Sequence, residues 1–526
     1  MSSEKKQTFM KGALILVIAN IIVKVIGAAF KIPLTYLLDE EGMALFSASY
    51  TMYTWLFIVA TAGIPVAISK MISQARTKGN IAEVNRIFSV SRKLLVAIGV
   101  IGTLILYFGA GIFADLLKNP DSELGIKAIS PAVFFVALMS AYRGYFQGHQ
   151  DMLPTALSEV TEAVGKLAIG FAGAYILIKT SVIHGAAGAV FGVAMGGLLG
   201  FLVLFVIYHI KKNKTNGEES TSLRRSNGTI LKELIIIAVP ITIGASVFSL
   251  TTLIDTAMIM RNLQSSGFSY SEAKHLYGSY TGYAVPLFNL PPTLISAITI
   301  SLVPAVSSAL ASGDKRLAQS TAVNSISITT LFSLPCAVGM MVLAEPILAL
   351  VYNNTNATPT LTVLSVAIVF VSLVMVTNAI LQSVGEERVP VINMLIGGVV
   401  KILINAVLVK NPDINIVGAP IGTILCYVVI LVLNMFTIVR KLKLKMSFIH
   451  MVLKPLISAA IMGLGVRLVF NILPLGSSLN LIVSIIFAVV VYAIMLVLTR
   501  SLSEEVLGSI PVVSKLVPIF KKFKLI

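Results

Sequence analysis

The sequence predicts an all-α membrane protein with about 14 transmembrane helices, and its composition and its apolar segments are the grounds for this prediction. The chain of 526 residues is 56% hydrophobic and only 12% charged, with a mean hydropathy of +0.93. Soluble proteins carry about twice that share of charged residues. Apolar segments of about 20 residues recur along the whole chain, and each can cross about 30 Å of hydrocarbon. Such segments must be helical, because in lipid every backbone polar group needs a partner within the segment.

The apolar segments give the predicted spans, and the distribution of charge gives their orientation. The predicted spans are 12–36, 45–72, 88–114, 127–148, 154–179, 185–210, 230–258, 279–310, 319–351, 359–384, 389–410, 415–439, 447–472 and 478–500. Most Lys and Arg residues lie in alternate loops and near both termini, which is the pattern of cytoplasmic segments. Both termini are therefore predicted to be cytoplasmic, which requires an even number of spans. The net charge of +17 reflects this asymmetry and does not indicate nucleic-acid binding.

An internal repeat predicts two lobes of six helices each. Gln147 and Lys166 correspond to Gln382 and Lys401 at one common offset. Six spans is an even number, so the two halves share one orientation, with a pseudo-twofold axis along the membrane normal and a binding site between the lobes. The predicted segments are the N-terminal lobe 1–210 (spans 1–6), the cytoplasmic linker 211–229, the C-terminal lobe 230–440 (spans 7–12), the two extra spans 441–500 and the cytoplasmic tail 501–526.

Residues that would indicate an enzyme or a metal site do not form recognisable motifs. The chain has no phosphate-binding loop of the G-x-x-x-x-G-K-[ST] type, and its five histidines lack metal-ligand spacing. Cys336 and Cys426 both fall inside apolar spans, which predicts buried thiols rather than a disulfide. We therefore expect no cofactor and no metal. Transport would be driven by an H⁺ or Na⁺ gradient or by the membrane potential.

Two lysines in span 1 are candidate substrate-binding residues. A charged side chain in the middle of the bilayer is unfavourable, so it usually faces protein or a water-filled cavity. Lys24 and Lys31 are seven residues apart and therefore lie on one helix face, about 10 Å apart along the axis. Two ammonium groups placed in this way suit a polyanion such as a pyrophosphate. Alternatively, Lys31 reaches the outer interface and is only an anchor.

Span 7 carries two further candidates near the positions that the repeat assigns to Lys24 and Lys31. These are Asp255 and Arg261. Across a twofold axis Lys24 could meet Asp255, either as a structural pair or as part of a proton or sodium site, and both interpretations stay open. Arg261 lies near the outer end of its span, so an interface anchor is an equal alternative.

Spans 4, 5 and 11 carry the other charges within the membrane. Glu159, Glu162 and Lys166 lie on one stripe of span 5, and the four-residue spacing predicts a Glu162–Lys166 pair. Lys401 has no acidic neighbour on span 11. Arg143 opens the motif Arg143-Gly144-Tyr145-Phe146-Gln147-Gly148 at the cytoplasmic end of span 4. A structural role is favoured for it over binding of a headgroup phosphate. Prolines at 65, 286, 291, 292 and 304 predict breaks in spans 2 and 8.

Two motifs connect the chain with a known family. The segment Arg143–Gly148 followed by Met-Leu-Pro-Thr-Ala at 152–156, and the segment Gly-Ile-Pro-Val-Ala-Ile-Ser-Lys at 63–70, resemble the polysaccharide-export branch of the MATE/oligosaccharidyl-lipid flippase superfamily. Within it the chain is most similar to stage V sporulation protein B and the MurJ-type lipid II flippases. Lys24-Val25-Ile26-Gly27 and the later Lys31 resemble the basic motif of the MurJ-type span 1. The family's arginines are lysines here, and its arginine in span 2 has no equivalent.

The resemblance implies a flippase that acts by alternating access. Its expected substrate is an undecaprenyl-pyrophosphate-linked saccharide, above all lipid II, and its expected partners are the membrane lipids and cell-wall synthesis enzymes. A cation-coupled drug exporter of the MATE type is the main alternative, although basic residues in the cavity argue against it. An integral membrane glycosyltransferase or polymerase is a third. It would need acidic residues beside a large outer domain, for which Asp39-Glu40-Glu41 is a weak candidate.

Overall fold

The computed structural model describes residues 3–212, 225–444, 447–473, 476–499 and 501. Within these ranges the chain is helical and contains no strand. Most of the predicted linker 211–229 and nearly all of the predicted tail 501–526 lie outside the described residues. Packing divides the chain into two compact units, Met1–Gly278 and Ser279–Ile526.

Ten α-helices lie in the first unit, the last of which ends at its border. They are α1 (Ser3–Thr61), α2 (Ile64–Thr77), α3 (Ile81–Phe108), α4 (Ala110–Leu116), α5 (Glu123–Ile129), α6 (Pro131–Gly148), α7 (Leu153–Leu177), α8 (Val182–Lys212), α9 (Asn227–Ser265) and α10 (Tyr270–Ser279). Their buried apolar side chains form one continuous core. The unit includes α9, which the repeat assigns to the C-terminal lobe, so the six-plus-six lobe division stays a prediction.

The second unit begins with a π-helical turn at Tyr280–Ala284 and continues through nine α-helices. They are α11 (Val285–Phe288), α12 (Leu290–Ala311), α13 (Lys315–Val342), α14 (Ala344–Tyr352), α15 (Thr358–Ser383), α16 (Arg388–Leu408), α17 (Gly418–Leu442), α18 (Lys454–Ile472) and α19 (Ser477–Leu498). Cys336 and Cys426 are both free thiols, as predicted, although Cys336 is only half-buried.

The described residues contain 11 helical segments that are long and apolar enough to cross a membrane. The first, Ile18–Ile58, is 41 residues long and would rise about 60 Å, twice the thickness of the hydrocarbon. Asp39 has non-helical backbone angles (φ 54°, ψ −168°) and divides α1 into two arms, which match the first two predicted spans. The multi-pass membrane architecture is therefore confirmed, and the count of fourteen remains a prediction.

Prolines mark the breaks that the sequence predicts in spans 2 and 8. Span 2 is interrupted between α1 and α2, and Pro65 lies in the first turn of α2. Span 8 is interrupted at Asn289, with Pro286 in the first turn of α11 and Pro291 in that of α12. Proline lacks a backbone N–H, so the first turn of a helix is its favoured helical position. The break predicted at Pro304 is wrong, because this residue lies inside the continuous helix α12, and Pro33 and Pro335 likewise lie inside helices.

Helices α7 and α8 pack closely because glycines line α8 at every fourth position. The glycines are Gly188, Gly192, Gly196 and Gly200. A Cβ atom at Gly192 would lie 2.2 Å from the Cα of Gly170, and one at Gly196 would lie 2.5 Å from the carbonyl oxygen of Glu162. Small residues at this spacing let two membrane helices approach backbone to backbone. This close packing against α8 fixes the position of α7, the helix that carries Glu159, Glu162 and Lys166.

Candidate functional site

The candidate site lies in the first unit, where α1, α6 and α7 bring charged and aromatic side chains together. The centre of the group is Lys166 on α7. Its ammonium nitrogen lies 4.5 Å from the ring centre of Tyr50 and 5.4 Å from that of Phe30. Both rings belong to α1, Phe30 before the break at Asp39 and Tyr50 after it. A lysine over an aromatic face is stabilised by the ring quadrupole, so this lysine is held in place without a carboxylate.

Tyr50 belongs to a row of aromatic side chains along the second arm of α1. Successive ring centres lie 5.7 to 5.8 Å apart. The row consists of Phe46, Tyr50, Tyr53 and Phe57. Packed rings of this kind form a rigid surface, and Lys166 lies against it.

Lys31 is the second cation of the site. It is half-buried on α1, next in sequence to Phe30, and it lies near enough to Lys166 for the two positive charges to repel each other. Two lysines from different helices thus lie near each other, and one of them, Lys166, lies against the row of rings. Like charges in a medium of low dielectric constant attract an anion strongly. The sequence predicted Lys31 as a site residue but did not connect it with Lys166.

Arg143 forms an ion pair with Glu162 that the sequence analysis did not predict. Its guanidinium Nη2 donates to Glu162 Oε2 at 2.9 Å, and its Nε donates to Ser158 Oγ at 3.1 Å. Both side chains are largely buried. The predicted Glu162–Lys166 pair is therefore wrong, because Glu162 turns toward α6 and Lys166 toward α1. The ion pair also fits the structural role predicted for Arg143.

Glu159 lies beside this ion pair, one turn earlier on α7. The charges of Arg143 and Glu162 both act on its carboxylate. Its Oε2 atom is sealed from solvent and has no hydrogen-bond partner among the residues that the structure describes. Buried polar atoms are nearly always hydrogen-bonded, so this atom is an exception that calls for an explanation.

The other predicted charges do not join this group. Lys24 is exposed on α1, and in the described ranges no ion pair connects it with the half-buried Asp255. The Lys24–Asp255 contact is therefore absent here. Arg261 is exposed near the end of α9, and Lys401 is buried on α16 in the second unit.

A second charge cluster, which we call the outer cluster, was missed in the sequence. Lys274 on α10 donates to Glu41 Oε1 at 2.5 Å and to Asp121 Oδ2 at 2.8 Å, and only 4% of its side chain is exposed. Tyr270 donates to Asp121 at 3.0 Å, and His275 lies 3.3 Å from Glu40. Burial acts against the charge of Lys274, but the hydrogen bonds to Asp121 and Glu41 outweigh it and raise its pKa.

The outer cluster also settles the role of the acidic residues after the break in α1. Glu40 and Glu41 were weak candidates for catalytic acids, and here both have basic partners. Within the described part of the chain, no three His, Cys, Asp or Glu side chains are placed to hold a metal ion.

Helices α1 and α7 also border an apolar groove of about 410 Å³. Its lining residues are Ala29, Pro33, Leu167, Ala168, Phe171, Ala172 and Tyr175. The two helices that carry Lys31 and Lys166 therefore also offer a surface suited to hydrocarbon.

Comparison with known proteins identifies the family. Residues 9–310, more than half of the chain, match the family of polysaccharide biosynthesis proteins, and residues 279–407 match the MatE family. Stage V sporulation protein B of Bacillus subtilis is 27% identical, with 97% of this chain and 99% of that protein covered. The lipid II flippase MurJ of Bacillus subtilis is also 27% identical, with 88% of each covered.

Solved structures share the fold. A structure of the lipid II flippase MurJ in an inward closed conformation superposes with a TM-score of 0.68 at 13% identity, covering 93% of this chain and 99% of that one. An inward-facing multidrug resistance transporter of the MATE family gives 0.66 at 15% identity, covering 82% and 99%. The chain thus belongs to the family of polysaccharide biosynthesis proteins and has the multi-pass membrane fold that these solved structures share.

Proposed function

We propose that the chain is a flippase that moves an undecaprenyl-pyrophosphate-linked saccharide, with lipid II as the expected substrate, across the membrane by alternating access. The observation that carries the proposal is that Lys31 of α1 and Lys166 of α7 lie near each other, with Lys166 over the ring of Tyr50. The relative named as a lipid II flippase supports the same class of substrate.

The chemistry of the site suits a pyrophosphate. Two ammonium groups from separate helices attract the same polyanion, and in a medium of low dielectric constant each adds to the attraction. Lysine binds phosphate as a point charge, without the two-pronged geometry of arginine. This suits a ligand that must be released on the other side of the membrane. The apolar groove along α1 and α7 would accommodate part of the isoprenoid tail.

We further propose that both termini and the linker 211–229 are cytoplasmic. The support is the concentration of Lys and Arg in alternate loops. A single cysteine introduced at Ser220 should resist labelling by an impermeant thiol reagent in intact cells and react after permeabilisation. Efficient labelling in intact cells would overturn this orientation.

Complementation tests the proposed substrate. Cells depleted of their lipid II flippase should grow when they express this chain and should fail to grow with the Lys31→Ala or Lys166→Ala variant. Lys179→Ala is the matched control, since Lys179 also lies over a ring, that of Tyr175 at the apolar groove, and is not one of the two lysines proposed to bind the pyrophosphate. Failure of the wild-type chain, at normal membrane abundance, would contradict lipid II as the substrate.

A cation-coupled exporter of drugs is the second candidate, favoured by the MatE match over residues 279–407 and by the fold of the MATE transporter. It predicts that expression raises resistance to cationic drugs. Two cationic residues in the candidate site would repel such substrates, which is why the flippase is preferred.

A further inference from the structure

The ion pair between Arg143 and Glu162 leaves a second glutamate of the same cluster without a partner. Glu159 and Glu162 are three residues apart on α7 and are therefore neighbours on the helix surface. The one guanidinium that lies beside both gives its hydrogen bonds to Glu162, to Ser158 and, at 3.7 Å, to the sulfur of Met139. Two carboxylates thus share one positive charge, and the cluster is neutral only if one of them carries a proton.

Among the residues that the structure describes, no further cation pairs with Glu159. On its own helix the nearest charges are Glu162 and, further along, Lys166, which lies over the rings of Tyr50 and Phe30. From α6 comes Arg143, and from α1 comes the buried Tyr53, near Glu162 and Arg143. Helix α8 contributes glycines to this contact: a Cβ at Gly200 would lie 3.2 Å from that of Glu162.

The sealed oxygen of Glu159 is the independent observation that points to a proton. An ionised carboxylate inside a membrane protein needs hydrogen-bond donors or cations for both oxygens, and Oε2 of Glu159 has none in the described residues. A protonated carboxyl group carries no charge, so burial of an oxygen without a partner costs it far less than it costs a carboxylate. The geometry therefore favours the acid form of this side chain in the conformation described.

We propose that Glu159 is the proton-binding residue that couples this transporter to a proton gradient, with Arg143 as the group that changes partner. In the conformation described, Glu159 holds the proton and Arg143 bonds Glu162. When the helices rearrange, Arg143 turns to Glu159, the O–H bond breaks, and the proton leaves to water on the opposite side. One proton is bound and one is released in each cycle, and no other reactant takes part.

The proposal requires only that the chain is a transporter and does not depend on the identity of the lipid substrate. Infrared difference spectroscopy of the full-length protein in lipid tests it without any substrate. Wild-type protein at neutral pH should show the carbonyl stretch of a protonated carboxyl group, and Glu159→Gln should lose it. Glu123→Gln is the matched control, because Glu123 forms an exposed pair with Lys127. An unchanged band in Glu159→Gln would overturn the proposal.

Transport assays provide a second, independent test of the proposal. In proteoliposomes, Glu159→Gln should lose the response of uptake to an imposed pH gradient and should retain exchange of substrate at equal concentrations on both sides. Glu159→Asp, which keeps a titratable group, should keep part of the response and serves if Glu159→Gln does not fold. A full response to the gradient in Glu159→Gln would contradict coupling at this residue. If the wild-type chain does not transport lipid II, only the proposed function is contradicted, because the infrared band is measured without substrate.

Discussion

The ammonium nitrogen of Lys166 lies 4.5 Å from the ring centre of Tyr50, across the contact between α7 and α1. Lys166 therefore has an aromatic partner where its spacing from Glu162 predicts a carboxylate. The difference matters for function, because a lysine neutralised by a carboxylate is a poor ligand for phosphate. A lysine over a ring keeps its full positive charge and a defined position.

The first prediction concerns this cation. Lys166→Ala should weaken binding of a short-chain polyprenyl pyrophosphate roughly tenfold, which corresponds to about 1.4 kcal/mol. Lys166→Arg should keep most of the affinity, because the positive charge and the stacking on Tyr50 are retained. The measurement is titration of the purified protein in detergent, with Lys179→Ala as the control. Equal affinity of Lys166→Ala and wild type would remove Lys166 from the binding site.

The second prediction concerns the Arg143–Glu162 ion pair. Arg143→Met leaves the largely buried Glu162 without its partner and should lower the free energy of unfolding by about 3 kcal/mol. Glu162→Gln should destabilise the protein less, because Glu159 can take its place beside Arg143, and the double variant should be less unstable than the sum of the two. Thermal unfolding in detergent measures the three values. Strict additivity would mean that the contact contributes no stability of its own.

The third prediction concerns the glycine contact between α7 and α8. A Cβ at Gly192 would lie 2.2 Å from the Cα of Gly170, so Gly192→Ala forces the two backbones apart. It should destabilise the protein by about 1–3 kcal/mol, the usual effect of overpacking. Gly398→Ala is the control, since a Cβ there meets nothing within 4 Å. Comparable melting temperatures for the two variants would show that α7 and α8 pack less closely than described.

The fourth prediction concerns pH and the outer cluster. Folding raises the pKa of Lys274 above its ordinary value of 10.5, so its ion pairs stabilise the folded state fully below that pH. The stabilisation is lost as the pH rises through the raised value. Lys274→Met should therefore lower the melting temperature at neutral pH and reduce its decline in alkaline solution. A melting curve with the same alkaline decline in the variant would contradict this role.

The helical membrane architecture was predictable, because lipid imposes long apolar segments whatever their partners are. The sequence also identified four charged residues of the site, because each charge inside an apolar span can be recognised on its own. They are Lys31, Glu159, Glu162 and Lys166. Their contacts were not predictable. Arg143 and Glu162 lie on different helices, and helical spacing relates residues of one helix only.

The same reason explains the missed and the mistaken contacts. Charges in loops indicate orientation and not contacts, so the sequence did not show Lys274 as the centre of the outer cluster. The Lys24–Asp255 contact rested on near-equivalent positions in the repeat. Equivalence under a twofold axis does not bring two side chains within reach, and Lys24 is exposed in the structure.

The most direct test of the central claim is lipid translocation by the purified protein. Proteoliposomes would contain a fluorescent undecaprenyl-pyrophosphate-linked saccharide, and a membrane-impermeant quencher would report how much of it reaches the outer leaflet. The account predicts translocation by the wild-type chain and by Lys179→Ala, and its loss in the Lys31→Ala/Lys166→Ala double variant. Equal translocation by the double variant and the wild-type chain would contradict the claim that these two lysines bind the pyrophosphate.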